Sequence, residues 1–241
     1  MNSAEMQARE ASKQLYFELA SGASGLALAL FMWGHMVLVG SILTGERGFN
    51  WLSTMLEDYY IAQPTVLVIL LLFFVHAVLA ARKIPAQLAE RRQMIKLGSG
   101  LKRAQGFNPH LESLLWIWQV RTGMVIFALG SFHLILLGID VLTPLFGAGA
   151  GIEAVTSIAR VRAGLWLPYS ILLVCVEFHA GIGLYRLAVK WGAGAFLTRK
   201  TARIVEHILL WFFLGLGVVV LLVLAEVLPP PLTFLLPEPV T

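Results

Sequence analysis

His35, His76, His133 and His179 each lie well inside a different long apolar stretch of the chain. An imidazole in hydrocarbon is costly and persists where it has a task. Neutral imidazole is also a good metal ligand, and two of them on facing helices of a bundle can hold a haem iron from both axial sides. Four on four helices supply two such pairs. A bis-histidine haem keeps no open coordination position, so its chemistry is electron transfer rather than oxygen binding. A single intramembrane histidine is more often a hydrogen-bonded packing residue. Four on separate segments, with few other ionisable groups among them, favour ligation. His110 and His207 lie at segment edges, where a solvated or interfacial histidine is the simpler reading.

The elements that must position these side chains are membrane helices. Of 241 residues, 58% are hydrophobic and 13% charged, and the mean hydropathy is +0.79. Soluble domains average about 45–50% apolar and about 25% charged, so the chain reads as an all-α integral membrane protein, one domain over 1–241. Five segments, 23–43, 64–81, 116–138, 165–189 and 208–228, are long enough for the roughly 20 residues that a crossing takes. The first four are expected to form the haem-holding bundle. Segments 5–20 and 84–97 are amphipathic and read as helices lying along the membrane surface. The first 22 residues lack the design of a cleaved signal peptide, so the first span is expected to stay. The single cysteine, Cys175, lies in an apolar run, which excludes a disulfide framework and thiolate-held iron–sulfur clusters. No repeat of fixed period and no separate soluble domain stand out.

The net charge of +4 is a topology signal rather than a nucleic-acid one. Fourteen Lys and Arg fall on the amino-terminal tail and in the loops after the second and fourth spans, against Arg47, Arg160 and Arg162 on the other side. Such a bias puts the amino terminus in the cytoplasm and the carboxyl terminus outside. Counting about 1.5 Å per helical residue, His133 lies about 26 Å from the inner entry of its span, near the outer face. His76 and His179 lie about 18 and about 21 Å from their outer entries, toward the inner face. His35 sits about 15 Å deep. Depth therefore pairs His76 with His179 and His35 with His133; the alternative couples His133 to His179, whose depths differ most. Gly130 and Gly183 share helical faces with His133 and His179 and could let a flat macrocycle approach the backbone. Glu177 points about 200° away from His179 round the helix, so it is no haem ligand.

The stretches GLALALFMWGHM around His35, HAVLAARKIP from His76, LLWIWQVRTGMVIFALGSFHL leading to His133 and VEFHAGIGLYRLAVKWG around His179 resemble the diheme cytochrome b subunit of quinol:fumarate reductases, in the succinate:quinone oxidoreductase family. The resemblance touches residues 21–192, and the last stretch is the most specific. It implies two haem b groups, held by His76 and His179 near the soluble subunits and by His35 and His133 distally. It implies a flavoprotein and an iron–sulfur protein as partners, menaquinone as redox substrate, and the bacterial inner membrane as location, with basic residues meeting lipid headgroups. Glu57, 22 residues after His35, matches the family's quinol-site glutamate and would accept a proton from menaquinol. Glu177 matches a transmembrane proton relay, for which a structural hydrogen bond is the plainer alternative. Trp116, Lys190 and Arg160 match positions that contact haem propionates, although interface anchoring is the commoner fate of such residues. The family's polar pair before the first span is Ser21 and Gly22 here. His110 and Glu112 match a family loop without a role to carry over.

The expectation is a membrane anchor moving electrons between menaquinol and an iron–sulfur partner, quinone-reactive but not an enzyme alone. The alternatives are the cytochrome b of a membrane hydrogenase or formate dehydrogenase, a proton-coupled transporter using His35, His133 and Glu177, and an inert tether.

Overall fold

The computed structural model describes residues 2–86, 88–90, 92–93, 111–143, 146, 152–191 and 198–236. Among them the regular structure is all helical: α1 (Ser3–Gly40), α2 (Glu46–Asp58), α3 (Ala62–Ala81), α4 (Leu111–Leu142), α5 (Ala154–Arg160), α6 (Trp166–Lys190) and α7 (Arg199–Leu224), with 3-10 turns at Ser41–Thr44 and Thr233–Leu235. Five helices, α1, α3, α4, α6 and α7, are long and apolar enough to cross a membrane. Their outward faces carry large apolar side chains. All twenty residues of α3 are at least partly exposed, as suits a helix solvated by hydrocarbon.

The amino-terminal residues depart from expectation. Segment 5–20 does not form its own surface helix; it continues without a break into the first span. Asn2 caps the start with a capping box to Glu5, and no proline interrupts the run from Ser3 to Gly40. At 38 residues, α1 is about 57 Å long, nearly twice the hydrocarbon thickness of about 30 Å. Of the other expected surface segment, 87, 91 and 94–97 lie outside the described residues.

After α1 the chain turns at Gly45, whose φ of +96° suits glycine, into α2, an amphipathic helix not expected from sequence. Its Phe49 is buried, while Asn50 Oδ1 accepts from the Ala154 amide at 2.8 Å and Glu57 Oε1 from the Ile152 amide at 2.8 Å. These side chains tie α2 to the chain entering α5. Between α5 and α6 lies a single π-turn, Val161–Leu165, bent at Gly164 with φ +100°. The last helix ends at Leu224, four residues short of the expected 228. Glu226 takes φ +57°, and the Val227 and Leu228 amides turn back to the Leu222 carbonyl.

In the bundle α1 packs on α3, α4 on α6, and α6 on α7, with α1 also touching α6 and α7. Among the described residues a buried apolar cluster gathers at the α2 end, where Ile42, Phe49, Ala154, Val161, Val220 and Val223 meet. The carboxyl-terminal tail folds back there, its Leu232 amide bonded to the Leu43 carbonyl.

Candidate functional site

Four helices, α1, α3, α4 and α6, each carry one of the four histidines. The His76 and His179 ring centres are 6.3 Å apart with perpendicular planes. Those of His35 and His133 are 6.5 Å apart, tilted by 31°. A metal–imidazole bond is about 2 Å and the nitrogen lies about 1 Å from its own ring centre, so a metal between two imidazoles sets their centres about 6 Å apart. Both pairs have that span.

Hydrogen bonds decide which nitrogen each ring of the first pair leaves free. His76 Nδ1 is 3.2 Å from the Ser21 carbonyl and 3.2 Å from the Ser24 hydroxyl. His179 Nδ1 is 2.9 Å from the Gln119 carbonyl and 3.4 Å from the Thr122 hydroxyl. A carbonyl only accepts, so Nδ1 carries the proton in both rings and Nε2 keeps its lone pair. At the second pair, His133 Nδ1 is buried with no hydrogen-bond partner among the described residues, as is the Tyr169 hydroxyl oxygen. The Tyr169 ring meets His133 edge-on at 5.4 Å. Orphaned polar atoms are rare in a finished interior, and here they fit a ligand that brings polar groups of its own.

Charged residues frame the two ends. At the α2 end Arg160 is buried, bonded to Asp140 and, at 3.1 Å, to the Ser157 hydroxyl. Asp140 also accepts from the Phe146 amide at 3.0 Å. At the other end Glu18 bridges Lys83, at 2.8 Å, and Lys190. Trp116 is half-buried on α4, three residues before Gln119.

Glu177 turns away from this row. It is 8% exposed and lines a cavity of about 150 Å³ between α6 and α7 with Trp33, Gly181, Glu206 and Phe213, while His179 faces α4. The Trp33 and Phe213 rings stack at 5.7 Å. Glu206 accepts from His207 Nδ1 at 2.6 Å. Glu57 lies apart, at the α2 end. Gly130 faces the Phe73 ring and Gly183 the Gln119 amide. His110 and the Glu112 side chain lie outside the described residues.

Sequence reasoning missed Glu18, Asp140, Tyr169 and Glu206. Asp140 had a readable signal, an acid at the end of an apolar segment seven residues past His133. The others owe their roles to partners distant in sequence.

Residues 100–225 match the family model described as succinate dehydrogenase/fumarate reductase transmembrane subunit. The fumarate reductase cytochrome b subunit of Helicobacter pylori is 32% identical over 208 residues, covering 83% of this chain and 76% of that relative. The chain belongs to this family. A relative of the same description from Wolinella succinogenes is 37% identical over 179 residues, 70% of this chain, and the match spans 64% of that relative's length. Family membership and five apolar helices together make the chain a multi-pass membrane protein.

Proposed function

We propose that the chain is the diheme cytochrome b anchor of a quinol:fumarate reductase or succinate dehydrogenase, carrying electrons between menaquinol and an iron–sulfur partner that sits beside a flavoprotein. The observation that carries this reading is the pair of cross-helix imidazole couples at 6.3 and 6.5 Å. In it the amino terminus is cytoplasmic, the carboxyl terminus lies outside, and the membrane is the bacterial inner one. The first four spans form the haem bundle, with His76 and His179 holding the inner haem b and His35 and His133 the outer. Bound haem supplies one-electron transfer with no open iron site.

The other residues hold, orient and move protons. Trp116 and Lys190 at the inner end and Arg160 at the outer end serve the propionates. Lys190 already shares the Glu18 carboxylate with Lys83, and Arg160 shares Asp140, so each charge is held in place before a propionate meets it. Glu57 accepts the proton released as menaquinol is oxidised. Its Oε1 is fixed by the Ile152 amide, which leaves the other oxygen for the proton. Glu177 carries a proton across the middle of the membrane, and the cavity it shares with Glu206 supports that role. The Glu177 cavity is also what a proton-coupled transporter would need, and that second reading predicts a protein without chromophore.

A reduced-minus-oxidised spectrum with haem quantitation tests the proposal. Two b haems per chain are expected, His179→Ala losing the inner one and His133→Ala the outer. An iron-free protein that is assembled and active, or a variant that loses both haems or neither with the fold intact, overturns it. Glu57→Gln is expected to keep both haems and lose menaquinol activity; normal turnover would remove that role.

A further inference from the structure

We propose that the chain builds one histidine seat twice, and that Ser24 and Thr122 are positioning residues which, with the carbonyls and glycines beside them, fix how His76 and His179 present Nε2 to the inner haem. The inference rests on the ligand assignment above and goes beyond it.

The two seats correspond atom for atom. On α1 a carbonyl at Ser21, a hydroxyl at Ser24 and a glycine at Gly25 face the ring of His76 on the next span. On α4 a carbonyl at Gln119, a hydroxyl at Thr122 and a glycine at Gly123 face the ring of His179 on α6. The spacing i, i+3, i+4 is the same in both and puts the three groups on one helical face. A Cβ built at Gly25 would stand 2.8 Å from His76 Cε1 and 3.3 Å from its Nδ1. At Gly123 the values are 2.9 and 3.3 Å to the same atoms of His179. The register continues: His35 follows Gly25 by ten residues, and His133 follows Gly123 by ten. Each half of the bundle thus contributes one seat, one seated histidine and one outer histidine.

Each hydroxyl hydrogen is engaged on its own helix. Ser24 donates to the Ser21 carbonyl at 3.2 Å, and Thr122 to the Trp118 carbonyl at 2.7 Å. The hydroxyl oxygens are therefore left to accept, and the Nδ1 proton of each imidazole is shared between a carbonyl and a hydroxyl oxygen. Such partners fix the tautomer and ring orientation and raise the basicity of the ligating nitrogen. The glycines let the ring reach both acceptors. An added methyl would press on Cε1 and drive the imidazole off them.

The test uses the assembled complex and reads haem content, the low-temperature spin-resonance signal of each ferric haem, and the midpoint potentials. Gly25→Ala and Gly123→Ala are expected to alter the inner haem signal and weaken its retention about tenfold, with the outer haem unchanged. That selectivity is discriminating, because Gly25 and Gly123 stand on the helices that bear the outer ligands. Ser24→Ala and Thr122→Val, which are milder, are expected to move the inner potential upward, a less basic ligand stabilising ferric iron less. Thr122→Ser restores it, and Gly130→Ala, facing Phe73, leaves the inner signal alone. Glycine variants that disturb the outer haem as much as the inner, or hydroxyl variants that leave the inner potential and signal unmoved, overturn the twin seats while leaving the ligands standing. A His76→Ala protein that keeps its inner haem sinks the ligand assignment itself, and the seats with it.

Discussion

Arg160 and Asp140 expose 10% and 8% of their side chains, and each is the other's charge partner. Two ions so far from water are held by mutual attraction and by the Ser157 and Phe146 bonds, and removing one strands the other. Asp140→Ala is therefore expected to cost about 3–5 kcal/mol, seen as earlier unfolding of the detergent-solubilised protein, with Asp140→Asn milder. An unchanged unfolding profile would mean that the outer propionate proposed above is counter-charge enough for Arg160 without Asp140. Glu177→Gln carries a second expectation: quinol-linked fumarate reduction stops while both haems and dye-linked fumarate reduction survive. Full quinol-linked activity in that variant would end the relay role. Acids differ in how readable they are. A lone carboxyl within an apolar run marks itself, which is why Glu177 and the four histidines are legible in sequence. Glu18 is not, because its meaning lies in Lys83 and Lys190, the latter 172 positions away.

Elements were legible to the degree that hydropathy alone decides them. The span 64–81 became α3 with two residues added before Pro64, which the first turn of a helix accommodates without losing a hydrogen bond. α2 was invisible, being too short and too mixed to read as a span; its helical face shows only through Phe49 packing inward and Asn50 reaching the Ala154 amide. The glycine seats escaped for a related reason. Periodicity gives the face of a helix, but not which neighbour meets it, so nothing in the spacing marks Gly25 and Gly123 as facing imidazole rings. The bend between α5 and α6 depends on one residue. Gly164 at φ +100° and ψ 0° tolerates a side chain poorly. Gly164→Ala is expected to lose about 1–2 kcal/mol of stability, read by thermal unfolding in detergent. A loss below the detectable range would mean that the π-turn relaxes without it.

At the scale of the whole molecule, the expectation from sequence that fourteen Lys and Arg lie on the cytoplasmic side makes orientation testable. With Cys175 replaced by Ala, an impermeant maleimide applied to spheroplasts should modify Thr233→Cys and spare Ser12→Cys until the membrane is broken. The reverse pattern would invert the topology. The two histidine couples also join distant parts of the chain: His76 meets a residue 103 positions later, His35 one 98 positions later. Neither the α1–α3 half nor the α4–α6 half owns a complete couple. A nascent polypeptide halted after α3 therefore holds neither couple; one halted after α4 holds the His35–His133 couple, and only emergence of α6 adds the second. With haem held as proposed, cofactor capture would follow translation, outer before inner, and two separately synthesised halves should turn red only when mixed.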